Sequence, residues 1–223
     1  MTDFPHIPKR NIEDASIQLL KDYHSNTGES IKAPIPVFEI IEYLGYDIDL
    51  RTDGVYEDPN FLGGLHINEK LVVLNENLKD QEGRMHFTAA HEVGHITLHV
   101  PQLKTEQKKE NILCRQDEGF EGTKKAPEEW QADTFAANLL MPKYLVKDAF
   151  KHISNHPIVL KKKRFLKLFM KTRSPRQRVL WLAEKVIKEG HFENVSKLAM
   201  ANRLIGLGLV KGLGYQKGYG GKS

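Results

Sequence analysis

The stretch RMHFTAAHEVGHITLH, residues 84–99, constrains the fold more than any other part of the chain. Wound at roughly 100° per residue, Arg84, Thr88, His91, Glu92, His95 and His99 fall in one arc. Met85, Phe87, Ala89, Ala90, Val93, Gly94, Ile96, Leu98 and Val100 cover the remainder. A helix apolar on nearly every side belongs inside a fold, and its polar stripe must find partners there. A metal ion would satisfy two histidines together. The competing reading is a core helix whose histidines bond to backbone; the clean stripe speaks against it.

The H-E-x-x-H spacing has a mechanical basis. His91 and His95, four residues apart, share a face and can reach one Zn²⁺, while Glu92 stands within reach of a water on that ion. Zinc lowers the pKa of such a water, and a carboxylate beside it can take the proton as the water attacks a carbonyl. The metzincin continuation is excluded, because Leu98 and Pro101 stand where it needs glycine and histidine. The other common solution is a carboxylate from a later helix. In PEEWQADTFAANLLMP, Glu129 and Asp133 are four apart on one face, whereas Glu128 points away. Glu129 is therefore the expected third ligand, and Asp133 the acceptor for the outer nitrogen of a ligand histidine. His99 is expected to support the site from behind or to bond backbone at the helix end. Arg84 is expected to pair with a carboxylate. The oxyanion stabiliser stays open between Tyr144 and a histidine such as His66, His152 or His156.

Around this centre the sequence patterns suggest an α+β fold: a small, mostly antiparallel sheet packed on zincin-type helices, with a helical C-terminal extension. A first helix is expected over residues 11–24, capped by Asn11, with Ile12, Ala15, Leu19, Leu20 and Tyr23 facing inward. A second helix starts after Pro36 and stops at Gly45, followed by a strand at YDIDL. FLGGLHI and KLVVLN, separated by NEK, suggest a β-hairpin. KLVVLN is further expected to form a sheet edge to which an extended peptide could add. Residues 101–126 are polar and aperiodic, as in a surface excursion. A helix through APEEWQADTFAANLLM begins near Pro127 and ends at Pro142. Three parts are expected: a domain carrying the H-E-x-x-H helix at 1–150, a basic helical extension at 151–214, and a disordered tail at 215–223.

The bulk numbers agree with this and narrow the class. A chain of 223 residues with 40% apolar and 28% charged side chains can bury a core of its own. Its only cysteine, Cys114, excludes an internal disulfide and is expected to be a packing residue in a reducing cytoplasm. The first residues show no signal pattern, so a cytoplasmic protein is expected. A net charge of +4 is mild, and its location carries more meaning than its size. The segment LKKKRFLKLFMKTRSPRQR, within 151–178, has no acidic residue. It offers possible DNA contact through residues 161–178, with Phe165 and Phe169 packing inward, or a docking face for an acidic protein patch. A solvated face is the ordinary reading of such a run.

RMHFTAAHEVGHITLH followed by EEWQADTFAANLLMP resembles the ImmA/IrrE family of zinc metallopeptidases. The shared features are R-x-x-F-T-x-A-H-E-x-G-H with a trailing L-H, then E-x-x-A-[ND]-x-F-A-x-x-L-L-M-P. LVVLN, ending in Asn75, matches the preceding strand. Met85-His86-Phe87 replaces a more basic run, and the resemblance covers about residues 35–145. By position it implies a gluzincin-like site, with His91, His95 and Glu129 as zinc ligands and Glu92 as base. It also implies limited proteolysis of a helix-turn-helix transcriptional repressor in a stress or mobile-element response. FENVSKLAMANRLIGLGLV resembles the small helix-turn-helix-like unit that often ends this family; a core-packing helix pair is the plainer reading. The alternative from another class is a non-catalytic zinc-containing regulator binding DNA or a repressor through its C-terminal part.

Overall fold

A computed structural model describes residues 4–52, 61–105, 112–116, 126–160 and 174–212. They form two compact units, Met1–Leu140 and Met141–Ser223.

In the first unit, α1 (Lys9–Thr27) and α2 (Val37–Tyr43) precede β1 (Asp47–Arg51), β2 (Phe61–His66) and β3 (Leu71–Asn75). Then come α3 (Glu82–Leu98), α4 (Val100–Thr105), β4 (Ile112–Gln116) and α5 (Pro127–Leu140). Helix α1 begins two residues before Asn11, and Pro8 takes the cap position expected of Asn11. A proline suits such a start because its missing N–H is not needed there and its φ is preset. Its buried face is Ile12, Ser16, Leu19, Leu20 and Tyr23. Ser16 takes the inward place expected of Ala15, its hydroxyl donating to the Glu13 carbonyl at 2.8 Å. Helix α2 stops where Gly45 adopts φ 78°, a backbone conformation that glycine enters without steric cost.

The sheet has the order β1-β3-β2-β4. Strand β1 runs parallel to β3, while β2 pairs antiparallel with both β3 and β4. The expected α+β class and mostly antiparallel sheet are thus present. The expected edge is not. Strand β3 lies between β1 and β2, so the backbone groups of KLVVLN are committed on both sides and no peptide can add there. The excursion at 101–126 is also more regular than its polarity suggests, since it contributes α4 and β4. Only the backbone of β4 is described, so the packing expected of Cys114 lies outside the described residues.

Two features bring sheet and helices to the site. Asn75 ends β3, donates from Nδ2 to the Phe61 carbonyl at 2.8 Å, and accepts from the Asn77 N–H at 2.9 Å. One side chain thereby ties the hairpin together and caps the turn that leads into α3. Gly63 in β2 lies against α3: a Cβ there would stand 2.6 Å from Thr88 Cγ2 and 3.2 Å from the Val73 carbonyl. With backbone on one side and a buried threonine on the other, only glycine fits.

The second unit contains α6 (Lys143–Lys151), β5 (Ile158–Val159), α7 (Pro175–Glu189), α8 (Lys197–Gly206) and β6 (Val210–Lys211). Strands β5 and β6 pair in parallel. Helix α7 opens with a capping box between Ser174 and Gln177 and has Pro175 at its first position. Ser196 caps α8 by accepting from the Ala199 N–H at 3.1 Å. Val146, Phe150, Leu182, Val186, Phe192, Met200 and Leu204 are buried. The basic run expected to touch DNA falls at 161–173, including Phe165 and Phe169, outside the described residues; only 174–178, at the start of α7, is described. The tail expected at 215–223 also lies outside them. Among the described residues, no helix is long and apolar enough to cross a membrane.

Candidate metal centre

Helix α3 is the core helix its composition requires. Residues Thr88 to Ile96 are buried without a break, including His91, Glu92 and His95. Helix α5 packs across it at Gly94, where an added Cβ would lie 3.0 Å from Ala132 Cα and 3.1 Å from its carbonyl oxygen. The obstacle is backbone, which cannot swing aside as a side-chain tip can. Glycine in the middle of H-E-V-G-H therefore sets how closely the two helices approach. That approach carries the acidic face of α5 to the histidines of α3.

The result is a compact cluster. His91 Nε2 and His95 Nε2 are 3.0 Å apart. Glu129 Oε2 is 3.2 Å from His91 Nε2, and its Oε1 is 3.3 Å from His95 Nε2. One donor atom from each of the three residues lies within 4.8 Å of the others, a spacing that can hold a metal ion. The histidines are 0% and 1% exposed on their side chains, and the carboxylate is 20% exposed. This orientation gives the centre one face toward solvent, through Glu129.

The outer nitrogens decide where the ring protons sit. His91 Nδ1 is 2.9 Å from Asp133 Oδ1, and an ionised carboxylate only accepts, so His91 donates from Nδ1. His95 Nδ1 is 2.9 Å from His99 Nδ1. On its other side His99 Nε2 meets Gln131 Oε1 at 3.1 Å, and the Gln131 amide nitrogen donates to the Pro5 carbonyl at 3.0 Å. Gln131 Oε1 therefore faces His99 as an acceptor, His99 donates from Nε2, and its Nδ1 lone pair receives the proton on His95 Nδ1. Burial, and next the neighbouring His95, push the His99 pKa down to about 4, which keeps that ring neutral. Burial also lowers His95, against the opposing effect of Glu129.

Both inward Nε2 atoms are then bare. With the two Glu129 oxygens they make four lone-pair-bearing atoms, and no proton lies among them. Acceptors held this close repel one another, and a divalent cation at their centre turns that repulsion into attraction. The donor set, two imidazoles and a carboxylate, is one that zinc accepts. A glutamate serves as a metal ligand in its ionised form.

The structure thus brings together His91, His95, Glu129, Asp133 and His99, with Glu92 buried beside His91 on α3. Arg84 Nη1 lies 3.4 Å from Gln81 Oε1. Of the residues considered for oxyanion stabilisation, His66 Nδ1 is 3.1 Å from Glu69 at the hairpin turn. His152, Tyr144 and His156 belong to the second unit, where His152 pairs with Glu189 at 2.7 Å. Gln131 was not anticipated, although the sequence holds a signal for it. It lies on the helical stripe 131, 135, 138 of α5, alongside buried Phe135 and Asn138, and a polar residue at a core position needs a reason. Phe4 and Pro5 had no signal in so short an arm.

No significant match is found among curated proteins. Residues 51–157 match a family model, Peptidase_M78, the IrrE N-terminal-like domain. The matched segment contains α3 and α5 entire, and with them all three residues of the cluster. Over these residues the chain is similar to the Peptidase_M78 family, whose motifs its sequence resembles.

Proposed function

We propose that the chain is a zinc-dependent metalloendopeptidase of the cytoplasm that cleaves one regulatory partner, a helix-turn-helix transcriptional repressor. The observation that carries the catalytic part is the close convergence of His91 Nε2, His95 Nε2 and the Glu129 carboxylate. His91, His95 and Glu129 would hold the ion. Asp133 would fix the tautomer and ring orientation of His91, and His99 would do so for His95. When bound, zinc supplies Lewis acidity toward a peptide carbonyl and a water of lowered pKa.

Glu92 is the proposed catalytic base. It takes one proton from the attacking water and returns it to the nitrogen of the departing peptide, so a single carboxylate serves both half-steps. Its neighbour His91 fixes where it stands relative to the reacting atoms. Glu129, partly exposed, lies on the side where substrate would enter. The family match and the motif resemblance support a peptide as substrate, and the repressor rests on the resemblance alone. Strand addition at β3 is excluded by its two neighbours, so the grip on the peptide must lie elsewhere.

The test is incubation of the zinc-loaded chain with helix-turn-helix repressors encoded beside its gene, followed by mass spectrometry of the products. A single cut that disappears in the Glu92→Gln variant and after chelation is the expected result. An uncut repressor panel would count against the substrate. A variant that still cuts would remove Glu92 as base.

A further inference from the structure

The N-terminal arm lies well ahead of the segment that matches the family model, yet it is joined to the centre. Phe4 is buried, and its ring lies 4.8 Å from that of His99 at 60°. The Pro5 carbonyl accepts from Gln131 Nε2 at 3.0 Å. His6 stacks on Trp130 at 5.9 Å and 18°, and Lys9 Nζ lies 5.9 Å from the same ring. These contacts all fall on α5 or on His99, behind the cluster.

Gln131 is the junction, and an amide has two orientations. With its oxygen toward His99, the chain of donors leaves His95 Nε2 bare, as described above. Turned over, the NH₂ group would donate to His99 Nε2, His99 Nδ1 would carry the proton, and His95 Nδ1 would become the acceptor. The His95 proton would then sit on Nε2, pointing into the cluster and blocking that nitrogen from a metal. The Pro5 carbonyl, which can only accept, excludes the turned-over form. Proline adds a second constraint, since its fixed φ narrows the conformations of the arm that presents this carbonyl.

We infer that the N-terminal arm is a working part of the metal centre: the Pro5 carbonyl orients Gln131, Gln131 orients His99, and His99 sets the His95 tautomer that can bind metal. Gln131 and Phe4 are positioning residues, touching neither substrate nor ion. The inference rests on the reading of His91, His95 and Glu129 as metal ligands. Because linkage is reciprocal, metal binding also holds the arm down.

The experiment uses the full-length chain, with zinc affinity measured by competition against a chromophoric chelator and the visible spectrum of bound Co²⁺ as the signature of ligand geometry. Gln131→Met removes both hydrogen bonds and should weaken zinc by about tenfold or more, the usual range for a group that orients a ligand histidine. Phe4→Ala loosens the arm and should weaken zinc less, with a shifted Co²⁺ spectrum. Gln131→Glu is the discriminating variant. A carboxylate presents an acceptor to His99 in either orientation and can no longer donate to the Pro5 carbonyl, so it should bind zinc near the wild-type level with the arm released. Adding Phe4→Ala to Gln131→Glu should then cost nothing further, whereas Phe4→Ala alone does. A merely structural Gln131 would lower thermal stability and leave both the affinity and the Co²⁺ spectrum unchanged; that outcome would overturn the inference. Equal losses from Phe4→Ala in both backgrounds would overturn the route through Gln131. Wild-type chain that takes up neither Zn²⁺ nor Co²⁺ would overturn the metal-site reading itself, and this inference with it.

Discussion

Among the described residues, Met1–Leu140 buries eight polar side chains: Ser16, Thr88, His91, Glu92, His95, His99, Gln131 and Asn138. Met141–Ser223 buries one, Asn194. The second unit is built in the ordinary way, with an apolar interior and serines at the helix starts, where backbone N–H groups need acceptors. The first concentrates polarity at the contact of α3 and α5, where it is costly unless every group is paired. Stability alone would favour leucines at such positions. The contrast marks the meeting of α3 and α5 as the place where packing alone does not account for the residues.

That comparison can be broken by substitution on each side. The largest effect is expected at Glu92. Glu92→Gln keeps shape and burial, so zinc content and fold should survive, while cleavage falls by about 10²–10⁴-fold, the share that a positioned base supplies. Retained cleavage would show that the buried polarity is not there for chemistry. Next is Gly94→Ala. Its Cβ would press on the Ala132 backbone at 3.0 Å, and overpacking of this kind costs about 1–3 kcal/mol. The same displacement moves Glu129 away from the histidines, so zinc affinity should fall together with the urea midpoint. A variant that is destabilised but binds zinc normally would contradict the role of helix spacing. The smallest effect belongs to the second unit. Ser196→Ala removes a cap and should cost about 1 kcal/mol in chemical denaturation, with zinc affinity untouched.

Legibility followed the range of the interactions. The stripe on α3 and the pairing of Glu129 with Asp133 are properties of single helices, and helical periodicity displays them directly. The hairpin of β2 and β3 was legible for the same reason, through its short turn. Strand order was not. Whether KLVVLN is central or at an edge depends on β1 and on β4, and β4 lies within a stretch whose polarity gives no strand signal. The outer chain of hydrogen bonds was only half legible. His99 stood out as a histidine one turn beyond His95, but its partner Gln131 lies 32 residues further on, and Gln131 meets the arm at Pro5 across 126 residues of sequence. No local pattern encodes such a meeting. At the start of α1, proline geometry did the work expected of an Asn11 side chain.

The buried polar cluster of His91, His95 and Glu129 is proposed to hold a metal ion. Metal analysis of purified wild-type chain beside Glu129→Ala tests it most directly. One zinc per wild-type chain, with zinc lost or weakly held in the variant, is the predicted result. Equal metal content in the two, or none in the wild type, would contradict it.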